Sequence, residues 1–215
     1  MKTNLADIRK EYSSRSLDTK DILPSPVEQF RLWLNQALEA GALEATAMNL
    51  ATVNEAGKPA SRIVLLKGIE HGSFVFYTNY KSHKGSDITH NSFGALNFFW
   101  PELERQVRIE GKITKVSPED SDTYFNSRPY QSKIGAWVSD QSKEVASREE
   151  LESKITYYEN KYPEGSVVPR PAHWGGYTLK PAYFEFWQGR PSRLHDRIVY
   201  DLEGDIRWNV FRICP

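Results

Sequence analysis

Between residues 46 and 80 the chain writes three extended segments in direct succession. "TAMNLATV" is followed by the turn "NEAG", then "KPASRIVLLKG", a second turn, and "SFVFYTNY". Runs rich in β-branched and aromatic residues, bounded by Gly, Asn and Pro, form strands. No helix separates them, and parallel pairing would need a crossover of a dozen or more residues. The segments therefore read as a three-strand antiparallel meander. The pattern returns in "GALNFFW" and "ERQVRIEGKITKV", joined at "PELE", and again in "YTLKPAYFEFWQ", "RLHDRIVYD" and "IRWNVFRI", with a turn at "LEGD". Seven or eight strands in consecutive hairpins exclude a doubly wound sheet. They predict a mainly β (α+β) chain, an antiparallel barrel with helices at its ends.

The helices announce themselves by their caps. In "SPVE", Ser25 caps, Pro26 takes the first helical position and Glu28 completes a capping box. Phe30, Trp33, Leu34, Ala37 and Leu38 follow at helical spacing, and Gly41 ends the run. A short helical piece is expected over Ser86–Asn91. "SPED" starts a further helix at Ser117, which must stop near Arg128 because Pro129 disfavours helical geometry in the residue before it. "SREELESKITYYENKY" begins with the capping box Ser147–Glu150, and Pro163 ends it. Residues 1–24 are polar and without periodicity, an arm with a short helix around Asp7–Tyr12. Residues 25–215 read as one domain.

Composition narrows the function. The chain carries 28 Lys+Arg against 28 Asp+Glu, so it lacks the basic excess of a nucleic-acid binder or a polybasic membrane anchor. Cys214 is the sole cysteine, which excludes an intrachain disulfide or a cysteine-ligated metal cluster. The first residues contain no apolar run of the secretory type, and no segment reaches the ~18 apolar residues of a membrane span. A cytosolic protein is expected. The aromatic fraction of 13% fits a β-rich core better than it demands a pocket for a flat ring.

Against that neutral background three local groupings of cations stand out. In "FWQGRPSRLHDR", reading "RLHDR" as a strand places Arg193, His195 and Arg197 on one face and Leu194 and Asp196 on the other. Such a row is either solvated, or paired with acids, or set against an anion. "SRIVLLKG" holds Arg62 and Lys67 at the ends of the apolar run Ile63, Val64, Leu65 and Leu66, the pattern of a strand buried on both sides. Five residues apart on a regular strand, the two cations fall on opposite faces. "TYFNSRPYQSKIGAW" spaces Tyr124, Arg128 and Ser132 by four, an approximate helical face able to offer a phenol, a guanidinium and a hydroxyl to a phosphate. Charged residues flanking a strand or on a helix surface are the ordinary alternative. There is no glycine-rich phosphate loop, no nucleophile elbow, and no metal-ligand spacing among the five histidines.

Taken together, "RKEY" (9–12), "SRIVLLKG" (61–68), "VFYTNYKSHK" (75–84), "LERQVRIEG" (103–111), "YFNSRPYQSKIGAWVSDQS" (124–142), "FWQG" (186–189) and "RLHDR" (193–197) resemble the pyridoxine/pyridoxamine 5′-phosphate oxidases. The similarity runs from about Ile8 to the C-terminus. It implies an FMN-binding split barrel working as a homodimer with FMN at the interface. By motif, FMN falls to Arg62, Ile63, Val64, Leu65, Leu66, Lys67, Tyr77, Thr78, His83, Lys84, Gln106, Gln141, Ser142, Trp187 and Arg197. Substrate phosphate falls to Lys67, Tyr124, Arg128 and Ser132. Arg193, Leu194 and His195 lie along the substrate ring, Arg193 and His195 as catalytic residues. Arg9 and Tyr12 of the arm close over the bound substrate.

The resemblance implies oxidation of pyridoxamine or pyridoxine 5′-phosphate to pyridoxal 5′-phosphate, with O2 as acceptor. One position departs: the family usually reads Ser-Arg-Lys where this chain has Ser82, His83 and Lys84. An imidazole loses its charge near neutral pH and a guanidinium does not, so FMN affinity should fall as pH rises. Two other functions remain compatible with the residues. One is a different flavin oxidoreductase on the same barrel, which need not keep Tyr124, Arg128, Ser132 and "RLH". The other is a non-catalytic carrier of pyridoxal phosphate, which needs no redox cofactor.

Overall fold

The computed structural model describes residues 11–13, 15–204 and 206–215. The expected helix around Asp7–Tyr12 and the site residue Arg9 fall largely or wholly outside them. Among the described residues nine strands and five α-helices are formed: α1 (Pro26–Glu39), β1 (Ala47–Val53), β2 (Pro59–Leu65), β3 (Gly68–Glu70), β4 (Ser73–Asn79), α2 (His83–His90), β5 (Phe93–Trp100), β6 (Arg105–Lys115), α3 (Pro118–Ser127), α4 (Tyr130–Val138), α5 (Arg148–Lys161), β7 (Trp174–Gln188), β8 (Asp196–Glu203) and β9 (Arg207–Arg212). None of the described helices is long and apolar enough to cross a membrane.

The strands join in the order β2-β1-β5-β6-β7-β4-β3, with β8 pairing β7 and β9 pairing β8. This corrects the meander: β2 and β4 are not neighbours in the ladder. Instead β2 and β3 stand at opposite ends of the order, yet only Leu66 and Lys67 separate them in the chain. Laid flat, seven strands ~4.8 Å apart would hold those ends ~29 Å from each other. Three Cα steps of ~3.8 Å cannot reach that far, so the sheet must curl. β7 changes partners along one edge. Residues Trp174–Leu179 pair β4 and Tyr183–Gln188 pair β8, both antiparallel. Pro181, which has no N–H to give, falls in the gap between the two registers.

Two compact units result. The first comprises the described residues up to Asn49 with Ala95–Glu110 and Pro181–Pro215. Its core is aromatic. Phe30 of α1 meets Phe98 edge-on at 4.8 Å, and Trp33 meets Phe186 at 5.2 Å. Such pairs add about 0.5–1.5 kcal/mol each beyond the area they bury. The cap forms as the sequence requires, with Ser25 Oγ accepting the Glu28 N–H and Gly41 at φ +70°. Leu38, expected on the buried face, is 54% exposed.

The second unit comprises Leu50–Gly94 and Gly111–Lys180. Phe74, Val75 and Phe76 of β4 are buried with Tyr177 and Leu179 of β7. A cluster of Phe125, Ile134 and Val138 from α3 and α4, with Trp174 of β7, packs with side chains of α5. Two expectations change here. The apolar run of β2 is not buried on both sides, since Ile63 is 66% and Leu65 37% exposed while Leu66 alone is buried. β2 ends the strand order, so it lacks a neighbour on one edge. And residues 130–138, to which the sequence assigned no element, form α4 directly after Pro129.

Candidate functional site

Within the second unit a cleft of about 720 Å3 gathers side chains from β2, β4, three helices and β7. β2 contributes Arg62, Ile63, Val64 and Leu65. Lys67 reaches the same cleft because the strand has ended: its N–H donates to the Val75 carbonyl at 2.8 Å, in the link to β3. The opposite-face objection therefore falls with the end of strand geometry. Tyr77 and Thr78 come from β4, Lys84 from α2, Tyr124 from α3, and Ser132 from α4. Arg128 ends α3 with extended backbone, φ −73° and ψ 150°, before Pro129. The spacing of four thus works across two helices. Gln141 and Ser142 follow α4.

The electrostatics of this cleft are one-sided. Arg62 is held from behind: Nη1 donates to the Leu50 carbonyl (3.2 Å) and Thr52 Oγ1 (2.6 Å), and Nη2 lies 3.5 Å from Asp87 Oδ2. Thr52 in turn donates to Asp87 at 2.6 Å. Lys84 is 8% exposed and has no acid partner among the described residues. Its Nζ donates to Gln141 Oε1 (2.8 Å) and approaches Ser82 Oγ (3.4 Å). Burial first, and the Arg62 charge second, push the Lys84 pKa down. The close approach that places Lys84 is specified by Gly85, where a Cβ would lie 2.1 Å from the Tyr80 carbonyl oxygen.

Arg128 is also without an acid among the described residues, and its Nη1 is buried with no hydrogen-bond partner. Burial lowers its pKa, opposed by Tyr124. Tyr77 is pushed up to about 12, chiefly by burial, so it stays a neutral phenol. Lys84 and Arg128, two cations facing one cavity with no acid partner among the described residues, are costly unless an anion completes them.

Two expected residues of this unit do not line the cleft. Leu66 is buried away, and His83 is exposed at the first position of α2. Conversely Asn79, Gly135, Ala136, Ser139 and Trp174 line it unannounced. Gly135 and Ser139 continue the helical spacing from Ser132 and were legible in principle. Trp174 was not, because it arrives through the β4–β7 register that sets it opposite Asn79.

Tyr12, Gln106, Trp187, Arg193, Leu194, His195 and Arg197 belong to the first unit. Trp187 and Arg197 are register partners on β7 and β8. Arg197 is gripped at both ends by Glu185, Nε to Oε1 at 2.8 Å and Nη2 to Oε2 at 2.9 Å, which raises its pKa. The His195 ring lies 4.6 Å from Trp187, and the Tyr12 ring edges both, at 5.7 and 5.9 Å. The single-strand reading of "RLHDR" is corrected. Pro191–Arg193 is a 3-10 turn, Ser192 and Arg193 have φ +56° and +60°, and β8 starts only at Asp196. The turn turns the Arg190 N–H onto His195 Nδ1 at 3.1 Å. Arg190, with no assigned role in the sequence, therefore fixes the neutral tautomer with its proton on Nε2. Burial, then the neighbouring Arg193, lowers the His195 pKa.

Antiparallel strands with flanking helices and a cationic, aromatic-walled cleft define the class. The fold is that of the split-barrel flavoproteins. A pyridoxamine 5′-phosphate oxidase-related, FMN binding protein from Nostoc punctiforme superposes with a TM-score of 0.71 over 90% of this chain and 100% of its own, at 17% identity. PhzG from Burkholderia lata, solved with tetrahydrophenazine-1-carboxylic acid, superposes at 0.88 over 94% of this chain and 100% of its own, at 27% identity. Residues 34–162 match the family model "Pyridoxamine 5′-phosphate oxidase", and 174–215 match "Pyridoxine 5′-phosphate oxidase C-terminal dimerisation region". The pyridoxine/pyridoxamine 5′-phosphate oxidases of Chromobacterium violaceum and a Cyanothece species are 56% and 52% identical over 215 residues, 100% of each chain. The chain belongs to the pyridoxine/pyridoxamine 5′-phosphate oxidase family, and is an oxidoreductase.

Proposed function

We propose that the protein oxidises pyridoxamine 5′-phosphate and pyridoxine 5′-phosphate to pyridoxal 5′-phosphate, with FMN as cofactor and O2 as acceptor. The amine, water and O2 give aldehyde, ammonia and hydrogen peroxide. The alcohol and O2 give aldehyde and hydrogen peroxide. The observation that carries this reading is the buried, unpartnered Nη1 of Arg128 in a cleft it shares with Lys67, Tyr124 and Ser132. Charge-assisted bonds from such donors contribute about 1.5–3 kcal/mol each.

The residues fit FMN. Lys84 is a buried ammonium bonded only to neutral oxygens, and it shares its cleft with Arg62, Thr78, Gln141 and Ser142. These would hold the cofactor's phosphate, and the apolar side chains of β2 would border its ring. Bound FMN supplies the acceptor for the two electrons and hydrogen that leave substrate C4′. The chain's own part is binding and orientation. Arg193 offers a fixed positive charge beside the substrate. His195, neutral with its proton on Nε2, donates a hydrogen bond rather than accepting a proton. Tyr12, with Arg9, is assigned to cover the substrate as the arm (1–24) closes on the domain (25–215).

We place FMN at the interface of a homodimer. The dimerisation region at 174–215 supports the dimer, as do the exposed Ile63 and Leu65, which a second copy would cover. The function itself is tested by purification. Bound flavin, with peroxide released on adding pyridoxamine 5′-phosphate, is expected. Flavin without that peroxide would point to another flavin oxidoreductase, and ligand binding without flavin to a carrier.

A further inference from the structure

Arg128 has to be held by something, and no acid among the described residues does it. No hydrogen bond from its side chain to another described residue is present, and the backbone around it is a link between two helices rather than a helix interior. What it rests on is aromatic. Its Cζ lies 4.4 Å from the ring centroid of Trp174. That ring is nearly parallel to Tyr124, 6.2 Å away at 3°, and to Tyr77, 5.6 Å away at 12°. Tyr77 and Tyr124 stack at 3.8 Å. All four side chains border the same cleft.

A carboxylate partner would take two in-plane donors of a guanidinium and cancel its charge. An aromatic face does neither. The cation–π attraction acts through the flat face of the group and leaves its five N–H bonds, all in the plane, available at the edge. We propose that Trp174 is the positioning residue of the phosphate grip. It seats Arg128 by its face and, through the stack with Tyr77 and Tyr124, sets the Tyr124 hydroxyl, so that both present donors to the substrate phosphate. The proposal rests on the reading of this cleft as the phosphate site, and adds that discrimination for a phosphorylated ring runs through Trp174.

Trp174 is only 7% exposed and meets Phe125 at 5.2 Å, so a purely structural role must be separated from this one. Ring fluorination does so, because it weakens the π face with little change of shape. The full-length holoenzyme is made with tryptophans of increasing fluorine content at position 174 alone. Calorimetry then gives Kd for 4′-deoxypyridoxine 5′-phosphate and for 4-deoxypyridoxine, neither of which can be oxidised at C4′. Along the series, Kd for the phosphate and KM for pyridoxamine 5′-phosphate should rise stepwise, by about 2- to 30-fold in all. Kd for 4-deoxypyridoxine, kcat, flavin content and Tm should stay put. Trp174→Phe should fall between native and Trp174→Leu in the same Kd. A phosphate Kd that ignores fluorination, or one that moves only together with flavin loss and Tm, overturns the positioning role. A native enzyme that binds both ligands equally overturns the phosphate-site reading beneath it.

Discussion

Glu185 offers a measurable consequence of burying a charge. It is 2% exposed, holds Arg197 at 2.8 and 2.9 Å, and has Arg108 at 3.4 Å. Glu185→Gln keeps the size and one acceptor but turns an N–H donor toward Arg197 Nη2. One charge-assisted bond is lost and the other becomes a weaker, neutral-acceptor bond. At about 1.5–3 kcal/mol for the first kind and 0.5–1.5 for the second, the change sums to roughly 3 kcal/mol. That is the low end of the ~3–5 kcal/mol for breaking a buried pair. The low end is appropriate because Arg197, with a quarter of its side chain exposed, can be rehydrated in part. For a chain of this size Tm should fall by about 6–12 °C. The assay is thermal and urea unfolding at fixed protein and flavin concentration. Glu110→Gln is the control, since its 3.1 Å pair with Arg108 is about half exposed on the acid side and 39% on the other. Its effect should stay within about 0.5 kcal/mol. A Glu185→Gln protein as stable as that control would refute the reasoning.

Three further outcomes follow from the site. Lys84→Met should weaken FMN binding by about 10- to 100-fold while leaving the flavin-free protein as stable or more so, because an unpaired buried ammonium is removed; fluorescence titration and unfolding of the stripped protein read the two arms. Arg193→Gln should raise the His195 pKa, since one of its two depressing causes is lost, and NMR titration of the ring would show it. Because that pKa is depressed on folding, the unfolded chain binds the proton more readily. The contribution to stability is therefore present above the unfolded value of about 6.5 and lost as pH falls through the folded one, a window that narrows in the variant. Gly85→Ala should destabilise by about 1–3 kcal/mol, as its Cβ must displace backbone at Tyr80, measured by urea unfolding.

Local devices were the legible part of the fold. Ser25, Ser117 and Ser147 cap the helices that their following residues announced, because a cap is settled within one turn. α4 escaped notice because Pro129 starts it with no side-chain cap. The β2 run misled because apolarity records that a strand is to be covered, not by what, and in one chain it lies at the end of the sheet. "RLHDR" misled because alternation was carried back through a turn that Pro191 begins. In the site, residues within one segment were found from spacing, as with Tyr124, Arg128 and Ser132. Trp174 reaches Tyr77 and Tyr124 from 50 or more residues along the chain, through strand register, which no local pattern encodes.

β7 has a bearing on synthesis. It is the strand that β4, β6 and β8 all pair with, and it starts only at residue 174. While a ribosome is still making the chain, β4 and β6 each wait with one edge open for a strand about 60 to 100 residues away. Closing loops that long is slow, and open edges in the meantime invite pairing with other chains. The nascent protein therefore has no early resting point. A chain released before β7 emerges should be a client for chaperones and proteases rather than a smaller folded product, and the last forty-odd residues are the closing piece of the sheet as well as a surface for a partner.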